Sequence, residues 1–233
     1  HVPLPSGYVH SVTPVDADLF RMETTAMLAE AGVTILYNTA LVDADAQGGH
    51  VRRVLVCSKS KLGYIQARSF VDATGDADLA VMAGAPARTG WPGSGAMQPV
   101  SMMMRAVSVD TRRACEALSE FEAAWATKRG VDGPFPVYFH GTFTRWNQEL
   151  RDLGVYDHDN HQFWTNTVWP DQLNINGSRL ANIDGNDPLA LSRATVELTA
   201  QLQKLAAFMR ARVPGFEHAS FMPNAFVGVR ETR

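Results

Sequence analysis

The stretch "FVDATGDADLA", residues 70–80, joins a short apolar run to an Ala-Thr-Gly turn that is followed by two acidic residues. The apolar run predicts the end of a buried strand. Ala73, Thr74 and Gly75 are small enough for the backbone to pass close to a bulky neighbour, which is either a ligand or another strand. This turn is therefore the first candidate site, and the segments around it help to decide between the two neighbours.

Composition and charge exclude several classes of protein. The 233 residues are 45% hydrophobic and 19% charged, as in ordinary globular domains. The 21 basic and 24 acidic residues give a formal charge of -3 without a basic cluster, so we expect no nucleic-acid partner. No apolar run is long enough to span a bilayer, so we expect no membrane partner. Cys57 and Cys115 both sit in apolar settings, which indicates a reducing cytoplasm rather than a disulfide framework.

The residues around the turn predict part of a parallel sheet. A helix is predicted over residues 16–31, capped by its first aspartate and ended by a glycine. Residues 33–39, "VTILYNT", then predict a strand, so the order of elements indicates a β-α-β crossover. Turn signals at 47–49 and 61–63 predict a three-stranded antiparallel meander, which returns to the sheet through residues 70–73.

A second group of elements follows the Gly- and Pro-rich loop at residues 83–99. Residues 100–109 predict a strand, and a helix with an aspartate cap is predicted over residues 110–130. After short strand-like pieces such as "VYFHGTF" and "FWTNTVW", Asp187 and Pro188 open a long helix that "VPG" ends. The predicted buried stripe of that helix is Leu191, Ala194, Leu198, Leu202, Leu205 and Met209.

Several segments together resemble the middle of the FAD-dependent oxidoreductase family, whose dinucleotide-binding fold is that of glutathione reductase and the fumarate reductase flavoprotein. In chain order they are "DLFRMETTAMLAEAGVTILYNTALVDA", "VRRVLV", "ARSFVDATGDADLAVMAGAP", "MQPVSMMMR", "DPLALSRATVELTAQLQKLAAFMRARVPGFEHA" and "VGVRETR". The resemblance covers almost the whole chain and is weakest over residues 133–172.

The resemblance implies an α/β fold class: a partial FAD/NAD(P)-binding Rossmann-like domain with a β-meander, and an inserted α+β substrate domain. The FAD-binding domain would comprise residues 1–95, the substrate domain residues 96–224, and a return strand residues 225–233. Family members begin with a strand, a GxGxxG turn and a helix that hold the pyrophosphate. Because neither this segment nor the family's closing segment is found in the sequence, we expect an interior piece of a longer protein.

In the family, the Ala-Thr-Gly turn lies beside the cofactor. The resemblance therefore implies that Ala73, Thr74, Gly75 and Asp76 contact FAD, with the Asp76 carboxylate accepting hydrogen bonds from backbone N–H groups or a cofactor hydroxyl. On its own, the same turn is equally well explained as a strand end with an acidic helix cap. Two more expected cofactor contacts, Gly228 and Arg230, stand on the return strand. For Arg230, a salt bridge to Glu231 or Asp76 is the alternative.

Three residues are candidate catalytic groups. Arg105, on a predicted strand, can hold an anionic substrate group or offset charge on the reduced flavin, and surface exposure is the alternative. His140, between aromatic residues, can act as a general acid or base, although a histidine within the core or at a sheet edge is commoner. Arg179, in "NINGSR", can bind a hydroxylated or carboxylated ligand with Asn176 and Gly177, whose presence turn chemistry also explains.

Two nearby motifs have structural explanations. The methionines in "MQPVSMMMR" can line a flavin ring, but such a stripe is more often simply core. His158 and His161, in "YDHDNH", lie three residues apart, and a solvated loop explains them better than a metal site does. We therefore predict no metal.

The function predicted is that of an FAD-dependent oxidoreductase that transfers hydride between a small organic substrate and flavin N5. A homo-oligomer is compatible with the sequence. The alternatives are a non-catalytic binding or interaction module without cofactor, and a metal-dependent hydrolase that uses His158 and His161.

Overall fold

The structure is a computed structural model. It describes residues 2–3, 11–13, 15–118, 137–155, 162–167 and 169–223. The strands in these ranges are β1 (Val2–Pro3), β2 (Ser11–Val12), β3 (Thr39–Gln47), β4 (His50–Ser58), β5 (Lys61–Ile65), β6 (Met104–Val107), β7 (Val137–Thr142), β8 (Gln162–Thr167), β9 (Gln172–Asn176) and β10 (Ser220–Pro223). The helices are α1 (Ala17–Glu30), α2 (Asp78–Met82), α3 (Thr111–Leu118), α4 (Asn147–Asp152) and α5 (Pro188–Arg212), with a 3-10 turn at Thr144–Trp146.

The described residues form two compact units. The larger unit contains the residues up to Arg21 and those from Pro99 onward, and the smaller unit is Met22–Gln98. These units are groups of mutually contacting residues. This grouping does not test the predicted domains. The cofactor domain (1–95), the substrate domain (96–224) and the return strand (225–233) therefore stay predictions.

A five-stranded antiparallel sheet is the centre of the larger unit. Its strand order is β10-β6-β9-β8-β7, which makes β9 the middle strand. Alternate residues of β6 and β9 are buried, and these are Met104, Ala106, Leu173 and Ile175. The sheet therefore has a core face and, on the other side, a face that carries the half-buried residues between them. The predicted strand 100–109 is shorter than expected, because only β6 and an isolated bridge at Val100 pair.

Helix α5 supplies the apolar stripe of this core. Asp187 caps it as predicted, since its carboxylate accepts a hydrogen bond from the N–H of Leu189 at 2.9 Å. The predicted stripe is confirmed except at its first residue, Leu191, which is only partly buried. Its buried members are Ala194, Leu198, Leu202, Leu205 and Met209. The expected end of the helix is also confirmed, because Val213 follows its last residue.

Helix α3 packs its first turn against the turn that follows α5. Asp110 caps it as predicted, accepting from the N–H of Arg113 at 3.1 Å. Gly215 lies so close to this cap that a Cβ atom there would be 2.5 Å from the carbonyl oxygen of Asp110, and its φ is +93°. Only glycine fits such a position. The predicted continuation of the helix beyond Leu118 lies outside the described residues.

The smaller unit is built on the antiparallel meander β3-β4-β5, which confirms the predicted meander. Gly48 and Gly49 form the first hairpin loop, both with positive φ, as a two-residue loop of this type requires. The second turn was predicted at 61–63, but Ser58 pairs with Lys61, so the loop is Lys59–Ser60 and the predicted turn residues belong to β5. Lys59 adopts the positive φ that a glycine would otherwise supply.

The two predicted strands of the parallel sheet are not formed among the described residues. Neither residues 33–38 nor residues 70–73 pair with a described strand. Their apolar side chains are correspondingly open to solvent: Val33 is 48% exposed and Val71 89%. A strand needs a neighbour for its ladder, and local apolar sequence cannot supply one. The described sheets are therefore antiparallel, and the Rossmann-like arrangement stays a prediction.

Helix α1 confirms the predicted helix 16–31. The Asp16 carboxylate accepts from the N–H groups of Asp18 and Leu19, and Gly32 with φ +71° follows the helix. None of its side chains is buried, so the helix packs against no described core. In the part of the chain that the structure describes, no helix has the length and apolar character to cross a membrane.

Candidate functional site

The half-buried side of the five-stranded sheet, which we call the polar face, gathers several of the candidate residues. Backbone pairing aligns two cross-strand rows at its centre. One row runs Met222, Arg105, Asn174, Asn166 and Tyr138. The next row runs Asn176, Trp164 and His140. The predicted candidates Arg105 and His140 thus stand in adjacent rows of one sheet, although β7 and β8, and so His140, are described by their backbone alone.

Arg105 is held by an acidic partner at the start of α1. Its Nη1 lies 3.4 Å from the Asp18 carboxylate, which also pairs with Arg21 at 3.0 Å. The Arg105 side chain is 37% exposed and Asp18 53%, so the pair is weak. Arg105 therefore remains accessible at the polar face, and it has a carboxylate partner that sequence patterns did not predict.

Asp16 is fixed more firmly than a helix cap requires. Besides its backbone contacts to α1, its Oδ2 accepts a hydrogen bond from Trp169 Nε1 at 2.6 Å. The N–H of Leu19, then the Trp169 indole, hold the pKa of Asp16 below its ordinary value. The sequence pattern revealed the cap but not Trp169, which is 153 residues away along the chain.

The middle strand β9 presents three carboxamides to the polar face. Gln172, Asn174 and Asn176 alternate with buried residues and are each half-buried. None of their side chains has a hydrogen bond to a described residue. Carboxamides in such half-buried positions usually form hydrogen bonds. Because these three form none with described residues, their donors and acceptors are available for a ligand.

The segment after β9 carries Arg179. Residues 176–179 were predicted as a polar turn, but no turn forms there: Asn176 ends β9, and the chain continues to the bridge between Leu180 and Val100. The side-chain carboxamide of Gln201 holds the backbone of Arg179, accepting from its N–H at 3.1 Å and donating to its carbonyl at 3.3 Å. Arg179 itself is exposed, and its guanidinium has no ion pair with a described residue.

The Ala-Thr-Gly turn, in the smaller unit, is organised by a carboxylate. Asp72 Oδ1 accepts from the N–H of Thr74 at 3.0 Å and from its hydroxyl at 2.7 Å, and Oδ2 accepts from the N–H of Ala80 at 2.9 Å. These hydrogen bonds, the Thr74 N–H first, hold the pKa of Asp72 below its ordinary value. Asp76 was expected to accept hydrogen bonds from backbone N–H groups or a cofactor hydroxyl. Among the described residues the backbone hydrogen bonds of this turn go to Asp72, and a contact of Asp76 to the cofactor stays a prediction. The Asp-x-Thr pattern of a side-chain turn was the available signal.

The turn is open on its outer side. Ala73, Thr74 and Gly75 are exposed, and a Cβ atom on Gly75, whose φ is +96°, would meet nothing within 4 Å. The N–H groups of Gly75, Asp76 and Ala77 donate to no described residue. A flat or polar group can therefore approach this backbone closely.

The core explanation of the methionine stripe holds for two of its four members, and Met97 is half-buried. Met102 and Met104 are buried in the larger unit, whereas Met103 is 37% exposed. Four other candidates, Gly228, Arg230, His158 and His161, lie outside the described residues. Among the residues whose placement is described, no group of three or more His, Cys, Asp or Glu side chains could hold a metal ion.

A comparison with protein families gives one finding. The family model described as FAD dependent oxidoreductase matches residues 3–233, nearly the whole chain. Searches among curated proteins and among solved structures each found no match.

Proposed function

Since this chain belongs to the FAD dependent oxidoreductase family, we propose that it transfers hydride between a small organic substrate and FAD. FAD is the cofactor of the family, and oxidoreduction is its chemistry. When bound, FAD supplies an electron-pair acceptor at N5 of its isoalloxazine ring. The observation that carries the finer proposal is the polar face, where Arg105 stands beside carboxamides that have no hydrogen bond to a described residue.

The Ala-Thr-Gly turn suits the cofactor. Ala73, Thr74, Gly75 and Asp76 would hold it, because the N–H groups of Gly75 and Asp76 donate to no described residue and no described side chain lies within 4 Å of a Cβ atom built on Gly75. Asp72 acts as the positioning residue that keeps this backbone in shape. Gly228 and Arg230 are proposed as further cofactor contacts.

The substrate is proposed to lie on the polar face. Arg105 orients a polar group of the substrate, and the carboxamides of β9 bind its other polar atoms. His140, two strands away from Asn176 by register, is proposed to hold the proton that leaves or enters the reacting group. Arg179 is proposed as a second contact for a polar end of the substrate.

The visible absorption spectrum of the purified protein, with and without added FAD, is the first test. A flavin band that stays with the protein through gel filtration, and that bleaches anaerobically with a substrate, supports the proposal. The Arg105→Ala variant should retain flavin but bleach more slowly. Failure to retain FAD even when it is added in excess would contradict the proposal and favour the non-catalytic binding module.

A further inference from the structure

The three carboxamides of β9 break a local rule of strand composition. Asn is depleted in strands, where branched and aromatic side chains are preferred. Yet Asn174 and Asn176, with Gln172, occupy every polar-face position of the middle strand. Places where a sequence departs from local preference without a structural gain are typically functional. No described hydrogen bond supplies such a gain here.

The charges beside this strand cancel. Arg105 pairs by register with Asn174, and around it lie Asp16, Asp18 and Arg21. Among the described residues around Arg105, two carboxylates and two guanidinium groups balance, and the N–H of Leu19 and the Trp169 indole lower the pKa of Asp16. Arg179, which carries a further positive charge, follows β9 in the chain and is not part of this group. This part of the polar face therefore favours a neutral ligand.

The spacing of the carboxamides suits a chain of hydroxyl groups. Alternate residues of a strand are about 6.6 Å apart, so the three side chains span about 13 Å. A carboxamide both donates and accepts hydrogen bonds, as a hydroxyl group does. Hydroxyls on successive carbons are closer together than the carboxamides, so a six-carbon molecule can bind two neighbouring carboxamides at once and a longer one all three.

We propose that the substrate is a neutral polyhydroxylated molecule, a sugar or a polyol, whose hydroxyls bind the carboxamides of Gln172, Asn174 and Asn176. This inference rests on the proposed function. In the reaction, a carbinol C–H bond breaks and its hydride passes to oxidised FAD, while the hydroxyl proton passes to a protein base or water. The C–O bond becomes a carbonyl, so that the alcohol is oxidised and FAD is reduced.

The test uses the FAD-loaded protein and two matched panels of small molecules. The neutral panel is D-glucose, D-galactose, D-sorbitol and myo-inositol. The comparison panel contains the charged compounds D-glucuronate, D-galacturonate and D-gluconate, and sarcosine as a compound without hydroxyl groups. Anaerobic bleaching of the flavin band measures reaction, and isothermal titration calorimetry measures binding whether or not a reaction follows. We expect binding and bleaching with at least one neutral compound, and weaker binding of its charged counterpart.

Two variants connect the result to β9. Asn174→Thr replaces a carboxamide by a residue that strands prefer, so it should fold, and we expect about 3- to 10-fold weaker binding of the neutral compound. Gln203→Ala, which removes an exposed carboxamide on α5, is the control and should bind normally. Unchanged binding by Asn174→Thr would overturn the inference.

The outcomes separate the inference from the proposed function. Bleaching by the charged compounds or sarcosine alone would overturn the inference and leave the oxidoreductase intact. No flavin retention would overturn the proposed function, and calorimetry on the flavin-free protein would still show whether polyols bind. If no neutral compound binds at high millimolar concentration in either form, the inference is wrong.

Discussion

Replacing Ser178 tests whether the backbone beside the polar face depends on one buried hydroxyl. Ser178 is 3% exposed and Met102 4%. The hydroxyl donates to the carbonyl of Met102 at 2.6 Å and accepts from its N–H at 2.8 Å. Ser178→Ala leaves both backbone groups buried without a partner. Each such group costs about 1 to 3 kcal/mol, so we expect a loss of about 2 to 6 kcal/mol in the free energy of unfolding.

The assay is urea unfolding followed by circular dichroism, with amide hydrogen exchange at Met102 as a local readout. A loss of this size is a large part of the 5–15 kcal/mol typical of a domain, so the midpoint should fall clearly at an unchanged m-value. Ser192→Ala is the matched control, because the Ser192 hydroxyl donates to the carbonyl of Pro188 on an exposed part of α5. It should change stability by less than about 0.5 kcal/mol. A loss under about 1 kcal/mol for Ser178→Ala would refute the reasoning.

Three further perturbations follow from the same structure. Gly215→Ala should lower stability by about 2 to 4 kcal/mol in urea unfolding, because positive φ strains alanine and its Cβ overlaps the carbonyl of Asp110. Asp72→Asn should weaken the acid dependence of unfolding: the folded-state pKa of Asp72 is lowered, so its contribution is present above the ordinary value of 3.8 and is lost as pH falls below it. Trp169→Phe should raise the pKa of Asp16 towards its ordinary value, measured by carboxyl NMR titration, because the indole hydrogen bond is gone.

Matched variants make each result specific. Gly154 also has a positive φ, but the nearest atom to a Cβ built there is the flexible end of Lys204. Gly154→Ala should therefore lower the free energy of unfolding less than Gly215→Ala does. Equal losses would mean that the overlap does not matter. Asp72→Ala should weaken the acid dependence as Asp72→Asn does, and an acid dependence that neither variant changes would contradict the role of Asp72. Trp91→Phe should leave the pKa of Asp16 where it is, and a shift of the same size would show that the indole hydrogen bond is not the cause.

The parts of the fold that were predicted correctly have local signals. The cap at Asp187, the stripe of α5 and the Gly48–Gly49 loop each depend on residues within a few positions of one another. The strands at 33–39 and 70–73 were predicted wrongly for the described residues, because pairing depends on a partner strand that a local pattern cannot reveal.

The candidate site likewise combines features with a local sequence signal and contacts between residues far apart in the chain. Arg105 was recognised from its residue type and neighbours, but Asp18, which pairs with it, lies 87 residues away. The Trp169 contact to Asp16 is likewise long-range, and no sequence signal indicated it. Asp72 is different, because its side-chain turn with Thr74 is local. The Asp-x-Thr pattern in residues 70–80 was therefore a usable sequence signal.

The alternation along β9 separates two demands on one short strand. Leu173 and Ile175 hold the core together, whereas Gln172, Asn174 and Asn176 contribute nothing to it. Natural variation or a designed library can therefore exchange the polar set freely while the apolar pair stays constant. With β9 in its proposed role of binding the substrate, changes to the polar set would change which molecules bind, while Leu173 and Ile175 keep the fold.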